Sequence, residues 1–291
     1  MQPHSSRWRS LLPVFSRRDI LEAGIIAGAF LLYFWVRGAV IDRPEPAYWH
    51  ALDVIDVQRS LGIFWEDDMN AWVVDHKPVA QLMNLVYFYL HFPLIIVFGM
   101  WLYYYRRDNY TFVRDSFLAS GAIALVIYWL YPVAPPRELD ELAAQYDTAA
   151  PAYVTGFFDT MKEYLGYAYD SQSTRAFVNP YAAMPSLHFG WDFLLGIGVI
   201  MAFREKAWAW LAIAVGVFLP VSQVFAITLT GNHFFLDAAA GGVVALAGLG
   251  IAHLLQIRVY PALENSVRRI PSGRVRKWLL RGEGELPGPA D

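Results

Sequence analysis

Four ionisable residues lie within long apolar stretches of the sequence and form two copies of the pattern His-x-x-x-Asp. The copies are His188 with Asp192 and His233 with Asp237. A spacing of four places each carboxylate one turn from its histidine, on the same face of a helix. A carboxylate beside an imidazole fixes its tautomer and raises its basicity, as a nucleophile or a base requires. The two pairs therefore indicate acid, base or nucleophilic chemistry.

The residues before each histidine favour a helix start and the close approach of an anion. Pro185 and Ser186 precede His188, and Gly231 and Asn232 precede His233. The N-terminus of a helix presents free N–H groups and partial positive charge, which suits a phosphate. Arg137, a planar five-donor cation, ends a third apolar stretch. We expect an anion site with two imidazoles, in which these residues bind phosphate: Arg137, Ser186, Gly231 and Asn232.

The composition places this chemistry in a membrane. Of 291 residues, 56% are hydrophobic and only 17% charged, and the mean hydropathy is +0.32. Such a chain is neither disordered nor a nucleic-acid-binding protein. The aromatic share of 16% suits membrane–water boundaries. The absence of cysteine excludes disulfides, thiol nucleophiles and cysteine-bound metals.

Six apolar stretches have about the length of a membrane-spanning helix. We predict an all-α, polytopic membrane protein: a bundle of six transmembrane helices, with interfacial helices on the outer face. The catalytic membrane domain is 20–257, between a basic cytoplasmic N-terminus, 1–19, and a basic, partly disordered cytoplasmic tail, 258–291. The predicted spans are 20–41, 79–105, 111–133, 182–203, 207–230 and 234–257.

Basic residues set the orientation, because Lys and Arg are retained on the cytoplasmic side. With the N-terminus inside, the inner segments hold 16 Lys and Arg and the outer segments hold 6. Both termini should therefore be cytoplasmic, with outer loops at 42–78 and 134–181. Within the first loop, 61–75 has apolar residues near helical spacing, which favours an interfacial helix or a loop packed over the bundle. A short helix is expected near 153–164.

Other readings of these residues remain open. Asp192 either orients His188 or lines a wet cavity, and Arg137 could be an interfacial residue. We interpret His91 and His253 as packing residues. Two His and two Asp also suit a zinc or other divalent metal site, in a metal-dependent phospholipid hydrolase or transferase. A non-enzymatic transporter is a further alternative, although its polar groups would be expected at mid-depth.

Three blocks of sequence together resemble the type 2 phosphatidic acid phosphatase superfamily, within it the inositol phosphorylceramide synthase branch of inositolphosphotransferases. They are Ala-Pro-Pro-Arg ending at Arg137, Asn179-Pro-Tyr-Ala-Ala-Met-Pro-Ser-Leu-His188, and Thr230-Gly-Asn-His-Phe-Phe-Leu-Asp237. The similarity extends over about 61–255.

The resemblance implies a role for each matching residue. His233 is the nucleophile that takes the phosphoryl group, Asp237 orients it, and His188 protonates the leaving alcohol. Ser186 and Arg137 contact the phosphate. The family needs no metal or other cofactor. The implied substrate is a membrane lipid phosphate or phospholipid. Water as acceptor makes a phosphatase, and an alcohol such as inositol makes a phosphotransferase. The composition favours a bacterial inner membrane, with the site facing outside.

Two departures from the superfamily pattern remove cations. Leu130 stands where the superfamily has a lysine, and Ala226 and Ile227 replace its Ser-Arg pair. Losing these cations weakens the usual electrostatic clamp on the phosphoryl group. Arg175 and Lys162, in the second outer loop, are the candidates to replace them, and Asn179 is a further possible site residue. The Pro-Ser-Leu-His block, in place of Pro-Ser-Gly-His, also favours the phosphotransferase branch.

Overall fold

The computed structural model describes residues 17–165 and 179–269. This part of the chain is helical, which confirms the all-α class; its β-structure is one isolated bridge, between Val133 and Ala182. Within it, 34–256 form one compact unit, while 17–33 and 257–269 belong to a second, also helical unit. In chain order the helices are α1 (Arg17–Val40), α2 (Pro44–Ser60), α3 (Glu66–Val74), α4 (Lys77–Asn84), α5 (His91–Tyr105), α6 (Arg107–Leu130), α7 (Leu139–Tyr146), α8 (Ala152–Thr155), α9 (Thr160–Leu165), α10 (Leu187–Phe203), α11 (Ala209–Leu229), α12 (Phe235–Leu254) and α13 (Tyr260–Arg268).

Several helices have the length and apolar character to cross a membrane. Among the described residues, four do so singly: Asp19–Val40, Arg107–Leu130, Ala209–Leu229 and Phe235–Arg268. A fifth span is formed if the bent pair Lys77–Phe88 and His91–Tyr105 counts as one. The predicted fourth span, 182–203, contains a shorter apolar helix, α10, of 17 residues. The membrane character is thus supported, and the count of six stays a prediction.

The predicted second span is bent rather than straight. Its two helical parts meet at 40°, and a π-helical turn, Leu85–Leu90, lies between α4 and α5. π-Helical turns inside α-helices occur frequently at functional sites. Here the turn contains Tyr87 and leads directly into His91.

Helices α10 and α12 cross at a pair of glycines. A Cβ atom on Gly190 would lie 2.7 Å from the carbonyl oxygen of Gly241, and a Cβ atom on Gly241 would collide with the carbonyl oxygen of Ser186. Backbones this close require residues without side chains. The crossing lies within one turn of His188 on α10 and of Asp237 on α12, so it sets the separation of the two motifs.

In the segment 42–78, the residues Glu66–Val74 form the helix α3. Glu66 and Asn70 of this helix are fully buried, whereas Trp65 and Trp72 are 54% and 49% exposed. The interfacial position of the helix stays a prediction. Glu66 and Asn70 make hydrogen bonds inside the protein, described below. In the second loop, the short helix expected near 153–164 is two helices, α8 and α9.

Candidate active site

His233 stands in the short loop that joins α11 to α12. Its Nδ1 atom is 2.7 Å from the carbonyl oxygen of Ala183 and 3.5 Å from Oδ2 of Asp237. A carbonyl oxygen only accepts hydrogen bonds, so Nδ1 carries the hydrogen and Nε2 keeps its lone pair. Asp237 was expected to orient this ring, and the Ala183 carbonyl lies nearer to Nδ1 than the Asp237 carboxylate does. His233 has the tautomer that a nucleophile attacking through Nε2 needs.

Asp237 connects the two motifs. Its Oδ2 atom accepts the backbone N–H of Phe234 at 2.8 Å, which caps the first turn of α12. Its backbone carbonyl accepts the N–H of Ser186 at 2.9 Å, which joins the start of α12 to the start of α10. Both residues are fully buried. Asp237 therefore fixes the His233 loop and the His188 helix relative to each other, in addition to facing the imidazole.

His188 lies in the first turn of α10. The Oγ atom of Ser186 accepts the N–H of Phe189 at 3.4 Å and caps this helix, as its sequence predicts. The Nδ1 atom of His188 is 3.4 Å from Nε2 of His233. The two predicted histidines thus meet directly, with their nitrogens facing each other.

The loop between α11 and α12 also contacts Arg137. Gly231 has a φ of +68°, a left-handed conformation that favours glycine. Its carbonyl accepts the N–H of Arg137 at 2.9 Å. The guanidinium of Arg137 donates to Oδ1 of Asn232, whose amide donates to Oγ1 of Thr230 at 2.6 Å. The predicted residues Arg137, Gly231 and Asn232 are therefore adjacent, one residue from His233.

Two acidic side chains face the guanidinium of Arg137. Its Nη2 atom is 3.1 Å from Oε1 of Glu138, and its Nε atom is 3.8 Å from Oδ2 of Asp159. Burial raises the pKa of the Glu138 carboxyl, and the charge of Arg137 opposes that rise. These side chains hold the guanidinium of Arg137 in place, so that it needs no reorientation to stabilise an anion.

The remaining predicted site residues are not brought into this cluster. Asp192 does not contact His188: its Oδ1 atom is 2.7 Å from Nδ1 of His91, on α5. Asn179 accepts the N–H of Tyr181 within its own turn. Lys162 is exposed on α9. Arg175 lies outside the described residues.

The positions of the missing superfamily cations are occupied as follows. Leu130 is 64% exposed at the end of α6, and Ala226 and Ile227 are fully buried. The carbonyl of Ile227 accepts the N–H groups of Asn232 and His233 at 2.9 and 3.0 Å, so this position shapes the loop through its backbone.

Two residues of the segment 42–78 hold the start of α12, a role that sequence reasoning missed. Oε1 of Glu66 accepts the N–H of Phe235 at 2.6 Å, and Oε1 of Gln58 accepts the N–H of Leu236 at 2.7 Å. Gln58 also donates to Glu66 at 2.7 Å, and both side chains are fully buried. They satisfy N–H groups that the first turn of a helix leaves unpaired. Nothing in the sequence distinguishes Glu66 from its acidic neighbours.

Asn70 joins the loop 134–181 to the end of α11. Its amide donates to the carbonyls of Phe158 and Leu229 at 3.1 and 3.0 Å, and its Oδ1 atom accepts the N–H of Phe158 at 2.7 Å. A Cβ atom on Gly231 would lie 3.3 Å from this amide nitrogen. Asn70 therefore packs against the loop that carries His233.

The four-ligand metal site considered above is not formed. Among the described residues, no three or more His, Asp or Glu side chains are arranged to hold a metal ion. Asp192 is directed to His91, and Asp237 faces the opposite nitrogen of His233 from the one that meets His188.

An apolar groove of about 760 Å³ lies beside the site, between α11 and the helices α3 and α4. Val86 in its wall precedes Tyr87, whose ring stacks on His188, and Leu229 precedes the loop that carries His233. Its volume lies within the roughly 300–1,000 Å³ of small-molecule sites. Its lining includes Met69, Trp72, Leu82, Val86, Val221 and Leu229.

Comparison with known proteins places this geometry in a family. A curated relative, the phosphoinositol dihydroceramide synthase of Bacteroides thetaiotaomicron, is 26% identical over 182 residues, which cover 61% of this chain and 57% of the relative. The chain thus spans a little over half the length of that relative. No solved structure matches the chain. A family model described as the PAP2 superfamily matches residues 52–251, which include the three motifs, the histidine pair and Arg137. The chain belongs to the PAP2 superfamily, and with its apolar helices this supports a membrane lipid phosphatase or phosphotransferase.

Proposed function

We propose that the protein cleaves a phosphate ester of a membrane lipid through a phosphohistidine on His233. The observation that carries the proposal is the hydrogen bond of Nδ1 to the Ala183 carbonyl, which leaves the lone pair of Nε2 facing His188. Arg137, beside the same loop, is placed to stabilise charge on the phosphoryl oxygens.

The reaction has two steps. In the first, Nε2 of His233 forms a bond to phosphorus as the bond to the lipid alcohol breaks, and protonated His188 gives its proton to the leaving oxygen. In the second, the acceptor hydroxyl attacks phosphorus, the N–P bond breaks, and the acceptor's proton passes to His188. Both residues return to their starting states. Neither step requires a metal.

The acceptor is water or an alcohol. The relative from Bacteroides thetaiotaomicron is named as a phosphoinositol dihydroceramide synthase, and Leu187 in the Pro-Ser-Leu-His block also favours transfer over hydrolysis. We therefore place transfer of phosphoinositol from a phospholipid to a lipid hydroxyl first, and hydrolysis of a lipid phosphate second.

To test the proposal, purified protein is incubated with a panel of lipid phosphates and inositol phospholipids, with and without ceramide, and both free phosphate and new lipids are measured. Rapid quenching with substrate labelled in the transferred group should trap an acid-labile, base-stable phosphoprotein. A labelled protein that is stable in acid, or labelling of the His233→Ala variant, would contradict a phosphohistidine at this position.

The groove beside the site suits an acyl chain of the lipid substrate. Val221→Trp should fill it, and Val215→Trp, exposed on another face of the same helix, is the matched control. The Val221 variant should raise the KM for a long-chain substrate and leave that for a short-chain analogue unchanged. An equal rise in KM for both substrates would show that the groove does not bind the acyl chain.

We further propose six spans in a bacterial inner membrane, with both termini cytoplasmic and the site outside. The unequal distribution of basic residues supports this orientation. In this cysteine-free chain, a cysteine at Thr148 should react with an impermeant reagent in intact cells, while one at Glu205 should not; both positions are exposed. The reverse labelling pattern would overturn the topology.

A further inference from the structure

A buried contact between a histidine and an aspartate lies next to His188. Oδ1 of Asp192 on α10 is 2.7 Å from Nδ1 of His91 on α5, and these residues are 4% and 1% exposed. Ionisable groups inside apolar helices are costly, and a pair that is kept there indicates a functional role. The reaction steps described above do not use either residue.

The ring of His188 packs against two rings of the bent segment. Its centroid is 4.2 Å from that of Tyr87, with 24° between the ring planes, and 4.7 Å from that of His91, with 38° between the planes. Tyr87 lies in the π-helical turn, four residues before His91. The orientation of His188 therefore depends on the position of His91.

Asp192 determines that position. It lies four residues after His188 on the same helix, yet its carboxylate bonds to His91 and not to His188. Two residues of α10 thus contact His91: Asp192 bonds to its Nδ1 atom, and the ring of His188 packs against its ring. Because a carboxylate that accepts the Nδ1–H of a histidine fixes the ring orientation, His91 presents a fixed face to His188.

We infer that His91 and Asp192 are positioning residues that hold the imidazole of His188 in line with the leaving oxygen. The inference rests on the proposed function. When His188 moves away from His233 to admit a phosphoryl group, the inference requires that its ring stays in contact with His91. Loss of the pair should therefore impair proton donation to the leaving group and spare attack by His233.

The test compares substrates that differ in their need for a proton. Phosphatidylinositol and the nitrophenyl ester of inositol phosphate form one pair, and phosphatidic acid and nitrophenyl phosphate form the other; the assay uses the pair that the wild-type protein turns over. A nitrophenolate leaves with little protonation. Asp192→Asn and His91→Phe should lower kcat for the lipid ester about 10- to 100-fold, the usual effect of losing such a supporting contact, and kcat for the nitrophenyl ester less than about threefold.

His50→Phe is the matched control. His50 also stacks on an aromatic ring, that of Tyr131, and also bonds through Nδ1, to the carbonyl of Pro132 at 2.8 Å, but it lies away from the histidine pair. It should leave the ratio of the two rates unchanged. Equal losses for both esters in the His91 and Asp192 variants would show a merely structural role and overturn the inference.

A double variant separates this inference from the proposed function. In a His188→Ala background, His91→Phe should cause no further loss with either ester, because the residue through which it acts is gone. A further loss would contradict the inference alone. Full turnover by His233→Ala would instead contradict the proposed function.

Discussion

Nε2 of His233 lies 3.4 Å from Nδ1 of His188, a separation that leaves no room for a phosphoryl group between them. In-line displacement places phosphorus between the nucleophile and the leaving oxygen. His233 is anchored through its other nitrogen to the Ala183 carbonyl, so His188 is the ring that must move. In a structure with bound vanadate, we expect these nitrogens to be on the order of 6 Å apart, since reacting atoms lie about 3 Å from each other. Vanadate bound beside rings that remain in contact would contradict this arrangement.

Substitution of the two histidines should affect activity differently. His233→Ala should abolish turnover of every substrate and the trapped phosphoprotein, because no other group forms the N–P bond. His188→Ala should lose about 100- to 10,000-fold with lipid esters, the usual contribution of an acid, yet retain turnover of a nitrophenyl ester. Quenched-flow trapping and steady-state rates measure both effects. A phosphoprotein trapped in His233→Ala but absent in His188→Ala would reverse the two roles.

The two carboxylates of the repeated motif should not be equivalent. Asp237→Asn should lower kcat on the order of 100-fold or more, since Asp237 faces His233, the proposed nucleophile. Asp192→Asn should have the smaller effect, because Asp192 acts only through His91. Chelators should leave the rate of the wild-type enzyme unchanged. Equal losses in the two variants together with inhibition by a chelator would favour a metal site.

The pair His188 and Asp192 shows what helical spacing predicts and what it does not. A spacing of four places Asp192 and His188 on one face of a helix, and the structure confirms that placement. The partner of Asp192, however, is His91, which lies 101 residues away in sequence. The apolar residues around His91 in the sequence favour a packing role for it. Pairing across helices depends on their crossing, which periodicity within one helix does not specify.

Gly241→Ala should reduce both stability and activity. Its added Cβ atom would collide with the carbonyl of Ser186 and force α10 and α12 apart, displacing His188 from His233. Gly250→Ala, in the same helix with nothing within 4 Å of the added atom, is the matched control. Because alanine favours a helix by about 1 kcal/mol over glycine, the control should raise Tm slightly while Gly241→Ala lowers it. Thermal unfolding in detergent and steady-state rates measure the pair; equal Tm values would disprove the close crossing.

Glu66 should give the protein a pH-dependent stability. Burial raises the pKa of its carboxyl, opposed by the hydrogen bonds from Phe235, Gln58 and Trp65. Between the ordinary and the raised pKa, the folded protein binds more protons than the unfolded chain, so the free energy of unfolding falls as pH rises through that window. Glu66→Gln should flatten this slope in Tm measured from acidic to neutral pH. Asp67→Asn should keep it, and a slope unchanged in the Glu66 variant would assign it to other groups.

The segment 42–78 shows where the residue pattern no longer predicts which side of a helix is buried. Its apolar residues fall near helical spacing and α3 is a helix, but the side that is buried carries Glu66 and Asn70. The free N–H groups at the start of α12 are the hydrogen-bond donors that the buried side chains of Glu66 and Gln58 accept. The sequence near α3 does not show this requirement, because α12, whose N–H groups Glu66 accepts, begins more than 160 residues later.

The distance along the chain between Glu66 and Phe235, 169 residues, also bears on biosynthesis. The ribosome synthesises Glu66 long before α12, the helix that Glu66 caps. The carboxylate therefore lacks this N–H partner while the intervening helices are made. The hydrogen bonds that hold the start of α12, next to His233, can therefore form only after residue 235 has been synthesised. A nascent chain that stops before residue 235 contains Glu66, Gln58 and His233 but lacks the N–H groups of Phe235 and Leu236 that the two side chains accept.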